Sequence, residues 1–301
     1  MKIPLLAAAL AACMLAGCGG GGGSGGTRPT PDNATAPIPD GANRDLTTVP
    51  TPTAMTVGGV SRMDNGAGPY PPFVTFSNAP SLRINIPALG VDDTFTQADV
   101  ASTTVFSGVQ MPTLKRSGGG SVRTVTWIVP STGVSGLRFS SLGVWDRADL
   151  TTGIINQMAA ISFGGRTLGS DVPTVGTATY SGFVLGNAIE APGRQFSITG
   201  LASATADFGA RNIAFTSANS AKTDRATGIT SADAGYNLTG TLTYAAGSNT
   251  LAGTLGSGNG KTGPATGAFY GPQAAEMGVT FSLTASGGGQ PFVGGAGLKR
   301  P

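Results

Sequence analysis

The chain reads as all-β: an antiparallel barrel of eight strands, or slightly more, preceded by a small β-rich subdomain and a disordered tether. Two observations predict this. From residue 136 onward, short runs rich in Val, Ile, Thr, Phe and Tyr recur between glycine-, asparagine- and serine-rich breaks, with no helical period among them. The segment from Tyr236 to Tyr244 also alternates strictly, with Tyr236, Leu238, Gly240, Leu242 and Tyr244 on one side and Asn237, Thr239, Thr241 and Thr243 on the other. Successive side chains of a strand point to opposite faces, so this strand has one dry face and one wet face.

In chain order, residues 1–17 have the form of a lipoprotein signal peptide. Lys2 supplies the positive end, residues 3–15 an apolar run too short to span a bilayer as a helix, and small residues come next. Leu15-Ala16-Gly17-Cys18 resembles the bacterial lipobox, which implies cleavage before Cys18 and acylation of its sulfur. A thiolate is the best side-chain nucleophile for accepting a lipid. Two or three acyl chains anchor firmly where one does not, and Gly19 rather than Asp after the cysteine implies the outer membrane.

Residues 18–56 read as the tether. The run 19–26 is glycine broken only by Ser24, and Pro29, Pro31, Pro37, Pro39, Pro50 and Pro52 stiffen the stretch beyond it. Residues 57–135 read as the small β-rich subdomain, from β-like runs at 73–76, 82–86 and 122–129. Residues 136–301 read as the barrel, with strands expected at 137–145, 161–163, 177–185, 196–208, 211–215, 236–244, 250–255, 267–270 and 278–283.

Composition excludes several kinds of chemistry. There is no histidine, which removes the commonest metal ligand, the usual general base and any Ser-His-Asp arrangement. The two cysteines are Cys13, which leaves with the signal peptide, and Cys18, so no disulfide, zinc or iron–sulfur site is expected, and no cofactor. Charged residues are 11% of the chain, the formal net charge is +3, and no Lys/Arg cluster resembles a nucleic-acid footprint.

The most informative stretch is Gly267-Ala268-Phe269-Tyr270-Gly271-Pro272, followed by Ala274, Glu276, Gly278 and Phe281. It reads as two strands and a short turn. Glycines at 267, 271 and 278 admit bends or close approaches, Phe269 and Phe281 are suited to plugging a barrel, and Tyr270 can bury its ring with its hydroxyl bonded. Glu276 is expected to be a structural brace that accepts backbone or arginine hydrogen bonds. This stretch is similar to the signature that closes the barrel domain of transferrin-binding protein B and its relatives. Leu142-Gly143-Val144-Trp145 looks like the first barrel strand of that family, Pro173 to Gly182 like the strand after a short loop, and Ala206-Asp207-Phe208-Gly209 like the middle of the barrel. The resemblance spans roughly residues 137–295. Val279 stands where the family usually has a second glycine.

The resemblance implies an outer-membrane lipoprotein, surface-exposed through a dedicated translocator, that captures a host protein or an iron- or haem-type ligand without catalysis. Partners it implies are the membrane through acylated Cys18, that ligand, and an outer-membrane receptor or translocator. The competing reading is a structural or accessory envelope lipoprotein with no soluble ligand. A third, a glycosidase-like enzyme with paired carboxylates, needs two acids in one cleft; Asp92-Asp93 and Asp146/Asp149 are the candidates, and they read as solvated loop residues. Trp127 and Trp145 read as core. Gly260-Lys261-Thr262 has the wrong spacing for a P-loop and reads as a hairpin turn. Asp207-Phe208-Gly209 reads as a strand end.

Overall fold

The computed structural model describes residues 44–47, 53–56, 61–64, 73–77, 81–86, 89–128, 136–191 and 193–301. Cys18, the signal peptide and most of the expected tether lie outside them. Eleven strands come first: β1 (Arg44–Thr47), β2 (Thr53–Thr56), β3 (Ser61–Asp64), β4 (Phe73–Ser77), β5 (Ser81–Ile86), β6 (Val91–Thr96), β7 (Val100–Phe106), β8 (Val109–Gly118), β9 (Ser121–Ile128), β10 (Ser140–Asp149) and β11 (Ile155–Gly164). Nine more complete the chain: β12 (Thr177–Ala191), β13 (Arg194–Asp207), β14 (Asn212–Asp224), β15 (Thr230–Ala232), β16 (Leu238–Thr243), β17 (Thr250–Ser257), β18 (Thr262–Tyr270), β19 (Glu276–Leu283) and β20 (Phe292–Lys299).

The last nine form one antiparallel sheet that closes on itself. Its order is β13-β12-β20-β19-β18-β17-β16-β14-β15, and a further β13–β14 pairing completes an eight-stranded barrel with short β15 added outside the ring, on β14. The seam is β12–β20, where Ser181 pairs with Lys299 and Ala188 with Phe292. Closure leaves no sheet edge in the ring. A register shift between Thr199 and Leu201, opposite Asn219 at φ 54°, bends the β13–β14 wall.

Alternation decides what goes inside. On β13 every second residue from Phe196 to Ala206 is buried or small; on β14 Ile213 and Phe215 point in; on β16 Leu238 and Leu242 do, while Thr239, Thr241 and Thr243 stay exposed. The interior is filled by rings. Phe269 lies 5.3 Å from Tyr244, 6.1 Å from Phe208 and 6.3 Å from Tyr180 between centroids, and Phe292 lies 4.9 Å from Phe281 and 5.1 Å from Tyr236. Each fully buried aromatic side chain contributes on the order of 2–3 kcal/mol of transfer free energy. The wet face points outward, the inverse of a membrane-spanning barrel.

The remaining strands cover one wall. A seven-stranded sheet, order β3-β2-β11-β10-β9-β8-β7, lays one face on β12 and β20: Met111, Ile128, Leu142, Val144, Ile155, Met158 and Ala160 pack with Leu185, Ile189 and Val293. Its other face, with Leu114, Val125, Trp127, Trp145 and Ile161, packs with Ile84, Val91 and Phe95 of a four-stranded sheet, order β1-β4-β5-β6. Trp127 and Trp145 are thus core.

Three expectations need correcting. Leu142 to Trp145 do not form a barrel strand: β10 pairs with β9 and β11, and the barrel sheet begins at β12 rather than near residue 136. The strand closing the ring against β12 is β20, where none was expected. Within the stretch expected to be tether, β1 and β2 pair with β4 and β11.

Candidate functional site

The β18–β19 corner carries the sequence-singled residues. Phe269 and Phe281 are fully buried in the barrel interior. Tyr270, one position on, points outward, and its hydroxyl lies 3.0 Å from the Ser162 hydroxyl of β11. Burial pushes the Tyr270 hydroxyl up to about 12. Gly267 pairs with Val279, and Pro272 opens a single 3-10 turn. Gly271, at φ 72°, has the Phe139 ring where a Cβ would stand, and at Gly278 a Cβ would collide with the Ser162 hydroxyl. Glu276, 2% exposed, accepts hydrogen bonds from the backbone amides of Arg138 and Phe139 and from the Ser140 hydroxyl at 2.7 Å. Burial raises its pKa, while those three donors pull it back. The corner therefore clasps the covering sheet to the barrel, with every polar group of Glu276 directed at structure.

The singled acids are also committed to partners. Asp93 is buried on β6, against the expectation of a solvated loop, and accepts from Arg123 and from the Trp145 indole, both at 3.0 Å. It pins the four-stranded sheet to the seven-stranded one. Asp146 is buried on β10, also against expectation. Arg225, after β14, grips both its oxygens at 2.7 and 3.0 Å, and Asn187 of β12 donates at 3.0 Å. Asp149 caps the β10–β11 turn through the amides of Thr151 and Thr152, which lowers its pKa. Among the described residues, no group of three His, Cys, Asp or Glu could hold a metal.

Arg225 and Asn187, which hold the buried Asp146, line a cleft between the covering sheet and the barrel. The cleft holds about 300 Å³. One wall is Ser102 and Thr104 of β7, Thr113 and Lys115 of β8, and Thr124 and Thr126 of β9; the other is Ser197 and Thr199 of β13 with Thr223 of β14. Pairing registers put these residues in cross-strand rows, Ser102–Thr113–Thr126–Val144 and Lys115–Thr124–Asp146, on one face of the covering sheet. The Thr113 and Thr126 hydroxyls lie 2.8 Å apart. The cleft is thus a hydroxyl-lined trough with Lys115 at one end. None of the lining residues stands out in the sequence as a site; β7, a dense β-branched run, is the readable signal of this wall.

The barrel mouth beside the β12–β13 turn is closed by charge. Lys222 reaches Glu190 at 2.8 Å and Asp233 at 2.9 Å, and the Tyr236 hydroxyl donates to Glu190 at 3.0 Å. Burial works against the Glu190 carboxylate, but the bonds from Lys222 and Tyr236 outweigh it and hold its pKa below the ordinary value. Lys261, buried behind them in the β17–β18 turn, has its pKa lowered by burial. Gly260-Lys261-Thr262 is therefore part of a hairpin.

With this geometry in view, comparison with protein-family models matches residues 172–299 to the C-lobe and N-lobe beta barrels of Tf-binding protein B. The C-terminal domain is a transferrin-binding protein B-like barrel. The match begins just before β12, where the ring itself begins. Among solved structures, a double mutant of transferrin binding protein B from Haemophilus parasuis Hp5 is similar at TM-score 0.50 and 15% identity, over 85% of this chain and 45% of that one. Isotype 1 of the protein from serogroup B Neisseria meningitidis matches at TM-score 0.47 and 19% identity, over 83% of this chain and 43% of that one. The chain thus spans less than half the length of these relatives, and at such identity the likeness is one of fold. No curated protein matches the chain.

Proposed function

We propose that this chain is an outer-membrane lipoprotein, exposed at the cell surface, that binds a host protein or an iron- or haem-type ligand without catalysis. The observation that carries the reading is the solid interior of a transferrin-binding protein B-like barrel: Phe269, Phe281 and Phe292 fill the ring, so recognition falls to loops and to the cleft outside it. The acids that were candidates for hydrolysis support the same reading, since Asp93 and Asp146 are each held by an arginine. Cys18 would supply the anchor, and 19–43 the reach. The test is capture. The purified full-length chain, immobilised and exposed to serum proteins and separately to haem, should retain a specific component; retention of none would leave a structural or accessory envelope role.

A further inference from the structure

The covering sheet ends at β7, the last strand in its order, so one edge of β7 has no neighbour among the described residues. Natural edge strands are blunted by charge, proline, bulges or brevity because an open row of backbone groups recruits another strand. β7 is Val-Ala-Ser-Thr-Thr-Val-Phe: seven residues, no charge, no proline, and its register shift confined to the start between Val100 and Ser102. Residues 101–105 are exposed, Val105 at 62%. A two-residue turn at Ser107 (φ 48°) and Gly108 (φ 80°) joins it to β8.

This edge borders the trough. Ser102 and Thr104 point into it, so a strand laid beside β7 would send its alternate side chains the same way. Charge selects among occupants. Arg225 is neutralised by Asp146, and the Asp224 carboxylate, held ionised by the amides of Thr227 and Ala226, stands on the barrel-side wall away from β7. Lys115 has no acidic partner among the described residues and projects from the trough-facing row.

We propose that β7 and the trough form a docking strip for an extended segment of a protein partner, which adds to the sheet as an eighth strand and places an acidic side chain against Lys115. Backbone pairing supplies affinity, and the hydroxyl-lined trough with its lysine supplies selectivity. The proposal rests on the reading of the chain as a binding protein and says where, and by what chemistry, the partner is held.

The test uses the full-length chain and a displayed library of random short peptides. Enriched peptides should carry Asp or Glu in an alternating pattern, and their binding should slow amide exchange over 102–106 by about tenfold or more. Lys115→Glu should switch enrichment to Lys or Arg, and Thr103→Lys with Val105→Lys should weaken binding about tenfold, as charges blunt natural edges. Enrichment without charge bias, slowed exchange only elsewhere, or no enrichment would overturn the strip. So would a dimer of the unliganded chain abolished by the β7 lysines, which would give the edge to a second copy. If serum capture persists unchanged in both variants, the strip fails while the binding function stands; if the unaltered chain captures nothing, the function itself fails.

Discussion

Asp146 shows how a single residue can bind two domains. Its carboxylate sits on the covering sheet and both ligands come from the barrel side, Arg225 bidentate and Asn187 beside it. Removing one member of a buried pair strands the other, at a cost of about 3–5 kcal/mol, whereas replacing both by apolar groups of similar volume is often nearly neutral. Asp146→Ala should therefore lower the urea midpoint sharply, and Asp146→Leu with Arg225→Met should restore most of it. Glu276 plays the matching part at the other end. Glu276→Gln puts an amide donor where backbone donors already point, and should cost about 2 kcal/mol in the same measurement. Its raised pKa has a definite sign. The contribution of Glu276 is fully present below its unfolded value near 4.5 and falls as pH climbs through the folded value, so the Gln variant should lose that alkaline-side decline.

At the scale of elements, the mouth strands β12, β14 and the turn after β15 are joined by Lys222 between Glu190 and Asp233. Both carboxylates have lowered pKa values, the hydrogen bonds of Lys222 overcoming burial in each case. Their stabilisation is present above the unfolded values of about 4.5 and 3.8 and is lost as pH falls through the folded ones. Melting temperature tracked from pH 7 downward should drop below about pH 4.5, and Glu190→Gln should flatten that limb. Gly278 gives a packing test on β19: Gly278→Val drives a side chain into Ser162 and should cost about 1–3 kcal/mol by overpacking. Legibility also divides by element. β16 could be read from its alternation because one face is wet. β10 and β20 are buried on both faces, so the period-two signal vanishes, and Gly294, Gly295 and Gly297 further disguise β20. Nothing in a linear pattern separates a covering strand from a barrel strand in that situation; only register does. The cleft was hidden for a related reason, since Asp146, Asn187 and Arg225 are far apart in the chain and meet only after the sheets stack.

At the scale of the whole molecule, three layers lie between water and water: a four-stranded sheet, a seven-stranded sheet and a filled barrel. The proposed anchor attaches at Cys18, ahead of all three. Cys18→Ser should abolish incorporation of labelled palmitate and release the chain from the membrane fraction. Proteinase added to intact cells should degrade the chain if it faces outward; full protection would refute surface exposure. The ring itself carries a consequence for biogenesis. The seam side of β12 finds its partner only in β20, where Ser181 meets Lys299, so the cylinder stays an open ribbon until the last of its staves has been delivered. For the export proposed above, such a latch would leave the ring pliable in transit and harden it once β20 has followed.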